Sequence, residues 1–97
     1  MVSSTSTQKV QITVFGDVQA VGFRFTAIEV ARGLGLTGWV RNNRDGSVQI
    51  VAEGQKEPLE NLITWAKKGP PLARVDEIKT EWQEATGEFY EFQVSYQ

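Results

Sequence analysis

Cysteine and histidine are both absent from the 97 residues. Without cysteine there is no disulfide framework, no thiolate nucleophile and no zinc site of the cysteine kind. Without histidine, the commonest general base and the commonest phospho-accepting ring are missing too. Catalysis, if there is any, must run on carboxylates, guanidinium, amides, hydroxyls and backbone dipoles, and no metal site is expected. A long apolar run is also lacking: no segment approaches the roughly 20 residues that span a bilayer, so no membrane partner is expected. Nor is there an excess of basic charge. Ten Lys and Arg against twelve Asp and Glu leave a net charge of −2, whereas the footprint of a nucleic-acid binder is usually basic. A chain without cysteine suits the reducing cytosol, and a cytoplasmic location is the expectation.

What is present is ordinary for one globular domain: 40% hydrophobic and 23% charged residues, with length for a single modest core. The opening Met1-Val2-Ser3-Ser4-Thr5-Ser6-Thr7-Gln8 has neither a basic nor an apolar secretory region. It reads as a disordered tail of residues 1–8 before a domain of residues 9–97. Val10, Ile12 and Val14 alternate with polar residues and predict a first strand. Phe23, Ala27, Ile28, Ala31 and Leu34 recur at helical spacing. A second strand is expected over Leu36 to Asn42, then a turn at Asn43-Arg44-Asp45-Gly46, then a third strand with Val48, Ile50 and Ala52 inward. Leu59, Leu62, Ile63 and Ala66 make the apolar stripe of a second helix near Pro58. Gly69-Pro70-Pro71 ends it. Val75 to Trp82 and the alternating Phe92, Val94 and Tyr96 complete the set. The order β-α-β-β-α-β plus one strand predicts an α+β fold of the ferredoxin-like, split βαβ kind, with two helices on one face of an antiparallel sheet.

The segment Gly16 to Arg24 leaves a strand, turns through small residues and enters a helix. Such a bend aims backbone N–H groups at one point, where the helix dipole also favours an anion. Arg24 in the first turn would add a planar, permanent cation suited to phosphate. Those features are met as well by a plain strand-to-helix turn carrying a solvated arginine. Likewise, Asn42 before a turn could cap backbone groups with no chemical duty. The segment lacks both the Gly-Lys-Ser/Thr ending of a P-loop and the cysteine of tyrosine phosphatases.

Gly16-Asp17-Val18-Gln19-Ala20-Val21-Gly22-Phe23-Arg24 resembles the acylphosphatase signature G-x-V-Q-G-V-x-F-R. Gly38-Trp39-Val40-Arg41-Asn42, with Gly46 and Val48 following, is similar to the family's second signature, G-W-V-x-N-x-x-x-G-x-V. The resemblance covers Val10 to Tyr96. It implies a hydrolase that cleaves carboxyl-phosphate anhydrides to carboxylate and inorganic phosphate by direct attack of water, as a monomer and without cofactor. In that family the signature arginine binds the phosphate and the signature asparagine orients the water, roles that fall here on Arg24 and Asn42. Backbone amides of Val18, Gln19, Ala20, Val21 and Gly22 would complete a phosphate-binding loop. The substrate partner is then a small acyl phosphate.

Two positions depart from the pattern. Ala20 stands where the family has its second glycine, and a left-handed backbone there would cost about 1–2 kcal/mol. Asp17 stands where the family is frequently basic, and a carboxylate aimed at the phosphate would repel it. These departures leave an alternative, an acylphosphatase-like module that binds phosphate or carbamoyl phosphate with weakened catalysis. An RNA-binding sheet is a third reading, set low because aromatic runs of the RNP type and a basic balance are missing. Trp39, Trp65 and Trp82 read as packing residues, and Glu77, Glu81, Glu84, Glu88 and Glu91 as solubilising edge charges.

Overall fold

In the computed structural model, which describes residues 6–96, the elements run β1 (Thr7–Asp17), α1 (Phe23–Gly33), β2 (Thr37–Asn42), β3 (Val48–Gln55), α2 (Lys56–Ala66), β4 (Arg74–Glu84) and β5 (Phe92–Val94). Thr7 and Gln8 lie opposite Gln55 and Gly54, so β1 starts two residues inside the expected tail. Residues 1–5 of that tail lie outside the described residues.

The sheet order is β4-β1-β3-β2-β5. Alternation along β1 turns Val10, Ile12 and Val14 inward, and on β3 it does the same for Val48, Ile50 and Ala52. Against that face pack Phe23, Ala27 and Ala31 from α1 and Leu59, Leu62 and Ala66 from α2, all within one core. The rings of Phe23 and Trp65 meet at 5.0 Å between centroids and join the two helices. At the end of α1 the Leu36 N–H reaches back to the Ala31 carbonyl and the Gly35 N–H to that of Arg32, the paired bonds of a Schellman ending.

One expectation fails here: the sheet is mixed, not antiparallel. β5 pairs parallel to β2, with Phe92 opposite Gly38 and Val94 opposite Val40. The connectivity forces this direction. β1 and β2 run one way while β3 and β4 run the other. The chain therefore leaves β4 at the end of the sheet where β2 begins. It crosses the face opposite the helices and must then run alongside β2 in the same sense. Glu53, 3% exposed on β3, holds the crossing. Its carboxylate accepts bonds from Thr86 N–H at 2.9 Å, Thr86 Oγ1 at 2.8 Å and Gly87 N–H at 3.0 Å, with Lys9 Nζ at 3.9 Å. Burial by itself raises that carboxyl's pKa. The Thr86 and Gly87 donors and the Lys9 charge overcome this and hold it below its ordinary value. β5 is then fixed by Gly38 N–H to Glu91 O, Ser95 N–H to Val40 O and Arg32 Nε to Phe92 O.

The far ends of β1, β2 and β5 and the start of α1 consequently meet at one edge of the molecule.

Candidate active site

β1 ends in a bulge. Its register on β4 shifts between Phe15 and Gly16, and Gly16 adopts a φ of 133° with its α-carbon so close to β4 that a Cβ would lie 2.1 Å from the Arg74 carbonyl oxygen. Only glycine permits that approach. The chain bends off the sheet there, passes Val18, which is buried in the core, and enters α1 through Gly22 at φ 81°. With glycine as N-cap, no side chain caps the first turn and no acidic residue lies in it. Its backbone donors and the positive end of the helix dipole are thus left to an external acceptor.

Beside this bend is a cavity of about 290 Å³, lined by residues that include Val18, Ala20, Gly22, Arg24 and Asn42. Arg24 is the single charged residue among those lining it, and its guanidinium lies 5.9 Å from the centre of the Tyr96 ring. Asn42 closes β2 two residues beyond the buried Val40, so it shares the helix-side face of the sheet. Its Oδ1 is buried and, among the described residues, is the one buried side-chain polar atom without a hydrogen-bond partner. An unmet buried acceptor costs about 1–3 kcal/mol, a cost that a bound water donating to it removes.

The cavity therefore brings together Arg24, Asn42 and the loop residues Val18, Ala20 and Gly22. Gln19 and Val21 are placed differently. Val21 packs against the core. The Gln19 side chain turns to the β2–β3 turn, where its Nε2 donates to Asn43 O at 2.8 Å and Ser47 O at 2.9 Å. That turn is itself locked: Asn43 N–H donates to Ser47 O, Asn43 Nδ2 to Ser47 Oγ, and Ser47 Oγ to Asp45 Oδ1 at 2.6 Å. The Ser47 hydroxyl and then its N–H hold the Asp45 carboxyl below its ordinary pKa. Gln19 thus ties the loop before Arg24 to the turn after Asn42.

Both departures resolve physically. Ala20 has φ 63° and is the one non-glycine residue with positive φ among those described, so the methyl group does carry the left-handed cost. Asp17 is 76% exposed, faces Arg74 at 3.9 Å and does not line the cavity. Among the described residues no three His, Cys, Asp or Glu side chains gather into a potential metal site, and no helix is long and apolar enough to cross a membrane. Sequence reading missed Phe25, Ile28 and Val94 as further lining residues, and Tyr96 as the aromatic neighbour of Arg24. The available signal was the spacing of residues 24, 25 and 28, which sets each of the first two beside Ile28 on the surface of a helix.

The chain has relatives among known proteins. A family model described as Acylphosphatase matches residues 10–94. The chain is 43% identical over 91 residues to a protein named Acylphosphatase from Pelotomaculum thermopropionicum, spanning 94% of this chain and 99% of that one. It is 48% identical over 87 residues to one of the same name from Methylococcus capsulatus, spanning 90% and 95%. The crystal structure of acylphosphatase from Bacillus subtilis superposes with a TM-score of 0.88 at 34% identity, covering 92% of this chain and 99% of that chain.

Proposed function

This chain belongs to the acylphosphatase family, enzymes that hydrolyse carboxyl-phosphate anhydrides, and on that premise we propose how its own residues divide the work. Arg24 and the free backbone donors of the bend take the phosphoryl group, and Asn42 holds the attacking water through its carboxamide. The observation that carries the reading is the partnerless buried Oδ1 of Asn42 in a residue lining the same cavity as Arg24.

The chemistry fits so spare a site. An acyl phosphate already has a good leaving group, a weakly basic carboxylate. Catalysis then consists of neutralising charge on the transferring phosphoryl and placing water in line with the departing oxygen. Water oxygen bonds to phosphorus as the bond from phosphorus to the acyl oxygen breaks. The carboxylate leaves with that electron pair, and the water's proton passes to a phosphoryl oxygen. No histidine is needed, which agrees with a chain that has none. The same reading includes a monomeric enzyme of the cytosol with no nucleic-acid partner. Its support is a chain without cysteine, which suits the cytosol, and a net charge of −2, unlike the basic footprint of a nucleic-acid binder.

Arg24→Ala and Asn42→Ala are each expected to lower kcat for benzoyl phosphate by about 10²-fold or more, the usual effect of removing one preorganised group facing developing charge. A rate within about threefold of wild type for either variant contradicts its assigned role, since that is under 1 kcal/mol of barrier. The weakened-module alternative requires the wild type itself to be silent in the same assay.

A further inference from the structure

The cavity holds more than a phosphoryl group requires. Beyond Arg24 and the loop, its wall is formed by Phe25 and Ile28 from α1 and by Val94 and Tyr96 at the end of the chain. These come from two elements that meet only because of the fold. Arg24 and Phe25 precede Ile28 by four and three residues, so each lies beside Ile28 on the surface of α1. The parallel pairing of β5 on β2 sets Val94 beside Val40, and the chain beyond it continues toward the end of β2 that bears Asn42. An antiparallel β5 would have carried Tyr96 away from the site.

Phe25 is 68% exposed and Tyr96 84% exposed, so neither is held in place by the core. Two large rings left in water on the lining of one cavity, which Ile28 and Val94 also line, make a wall that an apolar ligand can cover. The same wall offers no charged group except Arg24. We propose that it is the subsite for the acyl part of the substrate, and that it favours acyl phosphates with an aromatic or branched apolar acyl group over acetyl phosphate. The inference rests on the phosphoryl site proposed above: once the phosphate is anchored at the bend, the acyl group has to leave it, and this wall is continuous with the anchor.

The test compares kcat/KM for benzoyl phosphate with that for acetyl phosphate in the wild type, Phe25→Ala and Arg24→Ala. Taking the ratio of the two substrates within each protein cancels effects on the shared phosphoryl end. Each ratio is then compared with that of the wild type, which cancels the difference in intrinsic reactivity. Phe25→Ala is expected to lower the ratio by about fivefold, as loss of one apolar contact surface does. A second variant, Tyr96→Ala, is expected to lower it in the same direction. Unchanged ratios in both variants, or a ratio that rises, overturn the acyl subsite. Arg24→Ala addresses the underlying reading separately. If it spares both substrates the phosphoryl assignment fails, whatever the ratios show.

Discussion

Ala20 spends its backbone in the left-handed region, at φ 63°, and a Cβ there costs about 1–2 kcal/mol. Glycine at this position would remove the strain but give the unfolded chain more freedom to lose, an opposing effect of about 0.4–1 kcal/mol. The strain is the larger of the two. Ala20→Gly is therefore expected to raise stability by about 0.5–1 kcal/mol, seen as a higher midpoint of urea unfolding at unchanged slope. A lower midpoint would mean that the methyl group makes a compensating contact at the cavity wall. Residue type left the backbone conformation at this position open, and only the dihedral decided it. Asp17 is similar: its identity raised the question of repulsion, and its position in solvent beside Arg74 answered it. Gln19 was read as part of the phosphate cradle through its place in the motif. What its side chain reaches, a turn 24 to 28 residues further along, has no local sequence signal.

Among the elements, β1 and its bulge set the position of the loop. Gly16→Ala would place a methyl carbon 2.1 Å from the Arg74 carbonyl oxygen at a φ of 133°, so β1 and β4 would have to part or the bulge would have to rebuild. A loss of about 3 kcal/mol is expected, at the upper end for strained backbone, with activity falling as the loop moves. Gly16→Ala with wild-type stability and rate would show that the bulge does not set the loop. The strands and helices themselves were legible because period 2 and period 3.6 patterns report which face of an element is buried. β5 shows the limit of that signal. The alternation of Phe92, Val94 and Tyr96 marked a strand and its inward face, yet alternation is the same read in either direction, so it carries no parallel or antiparallel sense. The strand also stops at Val94, before the predicted end, and releases Tyr96 to the cavity rim.

For the whole molecule, the crossing from β4 to β5 is anchored on one buried carboxylate, and this makes stability depend on acid. Glu53 has a folded pKa below its ordinary value, so its contribution is complete above the unfolded pKa and is lost as pH falls through the folded one. Wild type is expected to melt above Glu53→Gln at neutral pH, and the gap in Tm to narrow as the pH is taken down through and below the ordinary carboxylate range. Protonation gives the two side chains the same charge there. A gap that stays constant with pH would assign the effect to shape rather than charge. The sequence by itself determined the α+β class, the inward faces of the strands and helices, the family signatures and the short list of groups able to do chemistry, because all of these are written in residue type and local period. Tertiary structure decided the direction of β5, the separation of Gln19 and Val21 from the cavity, the burial of Asn42 Oδ1 and the apolar wall beside Arg24. Each of those depends on residues far apart in the chain being brought to the same edge of one sheet, and connectivity across the sheet, not local pattern, fixes which ends meet.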